Sequence, residues 1–375
     1  MKVIHILEAT HGGTRRHILD LLPRQVAMGL ECEIIYSPLR NPGFERDAEA
    51  LRTHGIRATA VPMTTAPRAG INGTALVALA RDLRRGRPDL VHCHSTAAGL
   101  LGRLAATIAV PRTPVIYTPN CIAFGIALPR LSQRAARAFE TLLAPGTAHY
   151  IAVGAREARY LKHTVARRRP VTLIPNGVDL PDFDFVAAPE PNGHALSLPP
   201  TTFRVGCFGR LSRQKNQMAL IEAWPAIRKQ VADARLLFVG SGPDEFALKQ
   251  AATRLGVEGD VDWTGDLPEA RPLYARCQVV VQPSLWEGCP YAVLEAMAAR
   301  VPVVATRVGG VPDLLGAGRT LANRSPGTIA AALLALHNSP EEAAALGREE
   351  RRRVETYFNA TRMTADTVAL YSKFA

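Results

Sequence analysis

From residue 3 onward, short apolar runs alternate with amphipathic stretches, and the series occurs twice. VIHIL, CEIIYS, ATAVP, LVHCH, PVIYT, HYIAV and VTLIP come in turn in the first half. FRVGCFG, RLLFVG, DVDWTG, QVVVQP and VPVVAT form the second series. Apolar runs of this length read as strands, and the stretches between them as helices. Strands joined through helices run parallel, so each series predicts a doubly wound α/β domain. Residues 186–202, VAAPEPNGHALSLPPTT, are rich in proline and small polar residues and read as a linker. The predicted domains are therefore 1–185 and 203–356. A C-terminal helix, about 357–375, packs back on the first domain. A chain of 375 residues suits two domains of ordinary size.

Just under half the residues are hydrophobic, enough for two cores. Six cysteines, none in a C-x-x-C pair, sit mostly in apolar segments and read as buried thiols in a reducing compartment. No clustered Cys or His marks a zinc site along the sequence. No apolar run approaches the ~20 residues of a membrane span, and MKVIHILEAT is too short for a signal segment. The expected location is cytoplasmic. The net charge of +12 is uneven: residues 1–187 hold 24 Lys and Arg against 14 Asp and Glu. A basic first half suits an anionic partner. The cations lack interleaved aromatics and no recognition motif appears, which argues against nucleic acid.

Glu287-Gly-Cys-Pro-Tyr-Ala-Val-Leu-Glu295 follows the strand QVVVQP and opens a helix. At about 100° per residue, eight positions would leave the two carboxylates about 80° apart on one helix. Glu287 in a loop and Glu295 in the second turn fit better, with Gly288, Cys289 and Pro290 leading into the helix. Free N–H groups at such a helix start can bind phosphate. Gly209-Arg210-Leu-Ser-Arg-Gln-Lys215-Asn216 follows the strand RVGCF. Arg210 and Lys215 there suit a diphosphate. Gly240 and Gly242 end the next strand and would permit close approach of a ligand. Gly265 and Leu267 lie in the turn after DVDWTG, and Gly12-Gly13 follows the first strand.

These segments resemble the retaining family 4 glycosyltransferases, through the Glu-x7-Glu motif, EAMA and VPVVATRVGGVPDLL in the second half. The resemblance covers nearly the whole chain. It implies the GT-B fold, two Rossmann-like domains facing across a cleft. It implies that Glu287 contacts the donor sugar and Glu295 the ribose, while Arg210 and Lys215 neutralise the departing diphosphate. The Gly240–Gly242 loop would lie beside the nucleotide, and Gly265 and Leu267 would frame the base. Gly12 and Gly13 would close over the reacting end of the donor. LVHCHSTAAGLLGR would place His94 at a strand end facing the cleft, with His92 in the core. Many relatives carry a histidine after VIYTP, where this chain has Asn120, which can hydrogen-bond a hydroxyl but cannot titrate.

Asp182-Phe-Asp184 superficially looks like a metal-binding D-x-D, but its place at the linker, after a complete βα series, makes it a decoy. No metal or cofactor is implied, since Arg210, Lys215 and a helix N-terminus can neutralise the diphosphate. The expected function is transfer of a hexose from a UDP- or GDP-sugar to a hydroxyl of a cell-surface glycan or polyprenyl-diphosphate-linked acceptor. Residues 128–143 form a basic amphipathic helix, with Arg130, Arg134 and Arg137 on one side, and so allow peripheral contact with the inner face of the membrane. The rival readings are a sugar-nucleotide epimerase of the same fold and a non-catalytic subunit of a glycan-assembly complex.

Overall fold

The computed structural model describes residues 1–65, 69–121, 130–166, 168–184, 202–267 and 269–375. It divides into two compact units: Met1–Gly177 with Ala360–Ala375, and Val178–Asn359. The linker expected at 186–202 lies, apart from Thr202, outside the described residues.

The first unit holds seven strands: β1 (Lys2–Leu7), β2 (Glu31–Tyr36), β3 (Arg57–Ala60), β4 (Leu90–His94), β5 (Val115–Thr118), β6 (His149–Ala152) and β7 (Val171–Leu173). They pair in the order β3-β2-β1-β4-β5-β6-β7, and every pairing is parallel. Side chains alternate between the two faces. Ile4, Ile6, Val91 and Cys93 pack on one face, and Val3, Leu7, Leu90 and Ile116 on the other. Helices 69–86 and 96–109 lie against each other and supply the first face. Helices 12–27, 44–53 and 360–371 supply the second, the last through Met363, Leu370 and Tyr371.

The second unit holds β8 (Arg204–Phe208), β9 (Arg235–Val239), β10 (Val261–Trp263), β11 (Val279–Gln282) and β12 (Val303–Ala305). Their order is β10-β9-β8-β11-β12, again all parallel. The core centres on Trp224, Phe238, Leu236 and Val281, all fully buried. Gly206 sits in β8 because a Cβ there would meet Cys277 Sγ at 2.6 Å.

One boundary differs from the sequence expectation. Residues 178–184 belong with the second unit, not the first. Phe183 is buried and rests edge-on against Tyr274, with ring centroids 6.4 Å apart. Asp182 pairs with Arg271, and Asp184 Oδ1 accepts from Arg351 Nη2 at 2.8 Å. Both carboxylates of the D-x-D look-alike thus serve ion pairs within that unit.

Candidate active site

In each sheet the strand order reverses at one place, where neighbouring crossovers depart in opposite directions and leave room for a ligand beyond the carboxyl ends. In the second unit that place is between β8 and β11. The loop after β8 carries Arg210 and Lys215, and the loop after β11 carries Glu287.

These two loops hold each other. Gln214 Nε2 donates to Trp286 O at 3.0 Å, and Leu285 N donates to Gln214 O at 2.8 Å. Asn216 sits at φ +54°, a left-handed backbone that asparagine tolerates, and its Nδ2 reaches Pro283 O at 3.1 Å. The result brings Lys215 Nζ to 2.7 Å from Glu287 Oε1. The same oxygen accepts from Ser284 Oγ at 2.7 Å and from Gln282 Nε2 at 3.2 Å. The Glu287 side chain is 6% exposed and that of Lys215 17%. The Arg210 side chain is exposed at the loop's edge.

Helix Tyr291–Ala298 starts after Pro290, so Glu287 is in the loop and Glu295 is in the second turn, as the spacing requires. Gly288, Cys289 and Pro290 are buried in the approach to that helix. Glu295 Oε2 accepts from the Tyr274 hydroxyl at 2.8 Å. Tyr274 lies flat on Phe208, with centroids 3.8 Å apart. Burial, and then the Glu295 carboxylate, push the Tyr274 phenol well above its ordinary pKa, so it stays a donor.

The glycines also meet a packing need within the unit. A Cβ on Gly240 would meet Gly209 O at 2.5 Å, and one on Gly242 would meet Leu211 O at 2.1 Å. Gly240 also sits at φ +129°. Both glycines therefore leave room for the neighbouring β8 loop. Gly265 turns at φ +68° and its carbonyl accepts from Gly240 N at 2.9 Å, while Leu267 stands exposed beside it. Gly309 was not anticipated as a site residue. A Cβ there would meet Glu287 O at 1.9 Å, and Gly310 N donates to Gly288 O at 2.7 Å. Gly309-Gly310 therefore fixes the backbone of Glu287.

In the first unit the order reverses between β1 and β4. Gly12 and Gly13 open helix Gly12–Ala27 and are exposed, Gly12 at φ +61°. His94 differs from expectation: it is fully buried. It stands level with Leu7 in register, on the face that helices 12–27 and 360–371 cover. His5, His92 and His94 share that face by strand alternation, and their ligand-capable atoms lie within 4.8 Å of one another. No spacing along the chain revealed this cluster, because β1 and β4 are joined only by pairing.

The contacts are those of neutral imidazoles. His5 Nδ1 is 3.1 Å from His94 Nε2. His92 uses both nitrogens, Nδ1 on the Tyr371 hydroxyl and Nε2 on Thr118 Oγ1, each within hydrogen-bond reach. His17 Nδ1 meets Asn176 Oδ1 at 3.1 Å. Burial drives His5 down to about 3 and His17 to about 4, and holds His92 and His94 well below the usual range. His94 is therefore enclosed in this structure, and its Nδ1 has no hydrogen-bond partner.

What faces the carboxyl ends instead is Glu8, Ser95 and Asn120. Glu8 is 1% exposed. Its Oε1 accepts from Arg40 Nε at 2.6 Å, while Oε2 has no hydrogen-bond partner. Burial raises its pKa, and the Arg40 guanidinium opposes the shift. Ser95 at φ +71° and Asn120 at φ +64° hold left-handed backbones, and Ser95 Oγ and Asn120 Oδ1 make no hydrogen bond. Strained residues bearing unsatisfied polar atoms collect where ligands bind. Only Asn120 was anticipated; a buried glutamate one residue past a strand was the missed signal for Glu8.

Residues 11–181 match the family described as Glycosyltransferase Family 4. Residues 202–339 match Glycosyl transferases group 1. The 2-deoxystreptamine N-acetyl-D-glucosaminyltransferase of Streptomyces fradiae is 30% identical over 335 residues, 81% of this chain and 77% of that protein. The UDP-Gal:alpha-D-GlcNAc-diphosphoundecaprenol alpha-1,3-galactosyltransferase of Escherichia coli is 29% identical over 255 residues, 63% of this chain and 62% of that protein. Among solved structures, Anabaena Alr3699/HepE in complex with UDP-glucose matches with a TM-score of 0.80 at 19% identity, both chains covered in full. Two doubly wound parallel domains of this kind are those of the GT-B fold, and the family matches and the S. fradiae relative make the protein an enzyme that transfers glycosyl groups. It belongs to the family 4, group 1 glycosyltransferases and is a hexosyltransferase.

Proposed function

We propose that the enzyme moves a hexose from a UDP- or GDP-sugar to a hydroxyl of a cell-surface glycan or lipid-linked oligosaccharide, with retention of anomeric configuration. The observation that carries this is the Lys215–Glu287 pair at the point where the second sheet reverses. A cation and a carboxylate in contact suit the junction of a sugar diphosphate, where phosphate charge and sugar hydroxyls adjoin. Lys215 and the exposed Arg210 neutralise the departing diphosphate. Glu287 accepts from sugar hydroxyls. Glu295, oriented by Tyr274, accepts from the ribose. Gly240, Gly242, Gly265 and Leu267 line the nucleotide side, and Gly288, Cys289 and Pro290 bring the helix N-terminus to the phosphates.

No metal is required in this reading, because fixed cations do its work and Asp182 and Asp184 are committed to arginines. The retaining step needs no protein base if the leaving phosphate oxygen takes the acceptor proton, which fits an Asn at position 120. Glu8, Ser95 and Asn120 present the hydrogen-bonding groups for the acceptor side, near Gly12 and Gly13. A polyprenyl-diphosphate-linked acceptor suits the basic first half and the E. coli relative named above. Such an acceptor places the enzyme in the cytoplasm, peripheral at the inner face of the membrane.

The test is a thermal-stability titration of the purified protein with UDP, GDP and ADP in EDTA, alongside Lys215→Ala and Glu295→Ala. A ligand that binds only the folded state raises the melting temperature. A shift selective for one nucleotide, lost in both variants, supports the site. No shift with any nucleotide, or one that requires a divalent metal, overturns it.

A further inference from the structure

We propose that helix Arg130–Leu143, with the cations that follow it at 156–168, is a docking face for an anionic phospholipid bilayer. It shares only the membrane location with the proposed function. It is tested without donor or acceptor, so either can fail alone.

The orientation of the helix is fixed by one buried ion pair. Arg103 Nη2 donates to Glu140 Oε2 at 2.7 Å, and the guanidinium also lies 4.3 Å from the centre of the Tyr117 ring. Arg103 is 1% exposed and Glu140 7%. With Glu140 inward, Gln133, Ala136 and Leu143 share its side and are partly covered.

The outward side then divides lengthwise. At about 100° per residue, Ala138, Leu142, Ala135 and Phe139 follow one another across about 100° of the helix surface. Arg134, Thr141 and Arg137 occupy the adjoining arc. All seven are exposed. Phe139 is 59% exposed and Leu142 73%. An apolar strip beside an arginine strip is the surface of a helix lying in a membrane interface, with ring and leucine among acyl chains and guanidinium groups at the phosphates. The side chains of Arg130 and Leu131 lie outside the described residues.

The surroundings specify the charge of the partner. Residues 161–165 pack against this helix. Arg156, Arg159, Lys162, His163 and Arg168 are exposed. Residues 130–169 hold nine Lys or Arg and two acids. Both acids, Glu140 and Glu157, are buried, and Glu157 is turned inward to accept from Val153 N at 2.8 Å. The exposed charge of this segment is thus of one sign, as an anionic lipid surface requires at about 1 kcal/mol per cation near the headgroups. A polyanion such as RNA would use the arginines but would have no use for Phe139 and Leu142.

The experiment is flotation of the full chain with unilamellar vesicles of phosphatidylcholine, alone or with about one third phosphatidylglycerol. The expected result is binding to the mixed vesicles that falls with salt, and little binding to phosphatidylcholine alone. Phe139→Ser with Leu142→Ser should cut the bound fraction about tenfold, and Arg134→Glu with Arg137→Glu should do the same. Phe246→Ser, at an exposed apolar position of the second unit, should change nothing. All five substituted residues are exposed, and an unchanged melting curve for each variant shows that the fold is intact. The proposal is overturned if the wild type does not float, or if the Phe139/Leu142 variant floats as the wild type does. It is also overturned if that variant loses nothing while heparin competes the protein off, which would mark a site for soluble polyanions.

Discussion

Lys215 Nζ and Glu287 Oε1 lie 2.7 Å apart, although 72 residues separate them in the chain. The two side chains hold each other, and the proposed function sets the junction of donor diphosphate and sugar at this pair. Removing either therefore disturbs both. Lys215→Ala should lower kcat/KM by about two to three orders of magnitude. Residues that act as a unit are not additive. Lys215→Ala combined with Glu287→Gln should lose little more than the worse single variant. Release of nucleotide from the stabilising donor is the readout, and full additivity would show that the two act separately.

Tyr274→Phe removes one hydroxyl and leaves the stack on Phe208 in place. Glu295 then loses its 2.8 Å donor. The dissociation constant for the nucleotide should rise about tenfold, the worth of one hydrogen bond to a charged group. Calorimetric titration measures it, and an unchanged constant would remove Tyr274 from the site.

Asn120 separates backbone from side chain. At φ +64° an alanine is strained, so Asn120→Ala should cost about 1 kcal/mol of stability. Asn120→Gly removes the strain and the amide together. It should melt near wild type yet remain impaired in transfer. If glycine restores both stability and transfer, the amide has no role.

The buried histidines make the first unit acid-labile. Their folded pKa values lie below the ordinary value, so between pH 6.5 and about 3 the unfolded chain binds protons that the folded one does not. Stability is then full above pH 6.5 and falls as pH drops through that window. With four such groups the slope can reach about 5 kcal/mol per pH unit. Unfolding on acidification should begin near pH 6, and His5→Gln with His94→Gln should shift its midpoint lower. A midpoint that both variants leave in place would refute this account.

Glu350 has the opposite sign. Burial raises its pKa to about 8, so the folded state keeps a proton that the unfolded chain releases above about 4.5. The carboxyl therefore costs stability increasingly from pH 4.5 to 8. Glu350→Gln, whose carbonyl can still accept from Val303 N, should raise the melting temperature at pH 8.5 and leave it nearly unchanged at pH 5. At about 1.4 kcal/mol per unit over about three units, the difference is on the order of 4 kcal/mol. An equal effect at both pH values would count against titration.

The twelve strands of the described residues were legible in the sequence, because parallel strands, buried at the sheet centres and partly exposed in β3, β7 and β10, read as short apolar runs bounded by turns. Glu287 and Glu295 were legible because loop and helix start are local features. Tyr274 was not: it reaches Glu295 from a short 3-10 turn, Arg271–Arg276, and no periodicity marks it. The close packing of Leu211 on Gly242 was not legible, since a sequence tells that a backbone needs room and not which backbone arrives. His94 was expected to face the cleft on the family resemblance alone. Its burial comes from helices 12–27 and 360–371, one near each end of the chain.

The C-terminal helix has one more consequence. Residues 178–359 form a unit continuous in sequence, whereas the first unit is completed by Ala360–Ala375. During synthesis the unit begun first is thus the last that can close. Until Tyr371 emerges, His92 Nδ1 lacks its hydroxyl partner and the core around Leu7 and Ile116 is open on one side. The second unit can be native while the first still waits for its final helix, so a ribosome that stalls in the last turn leaves half a finished enzyme.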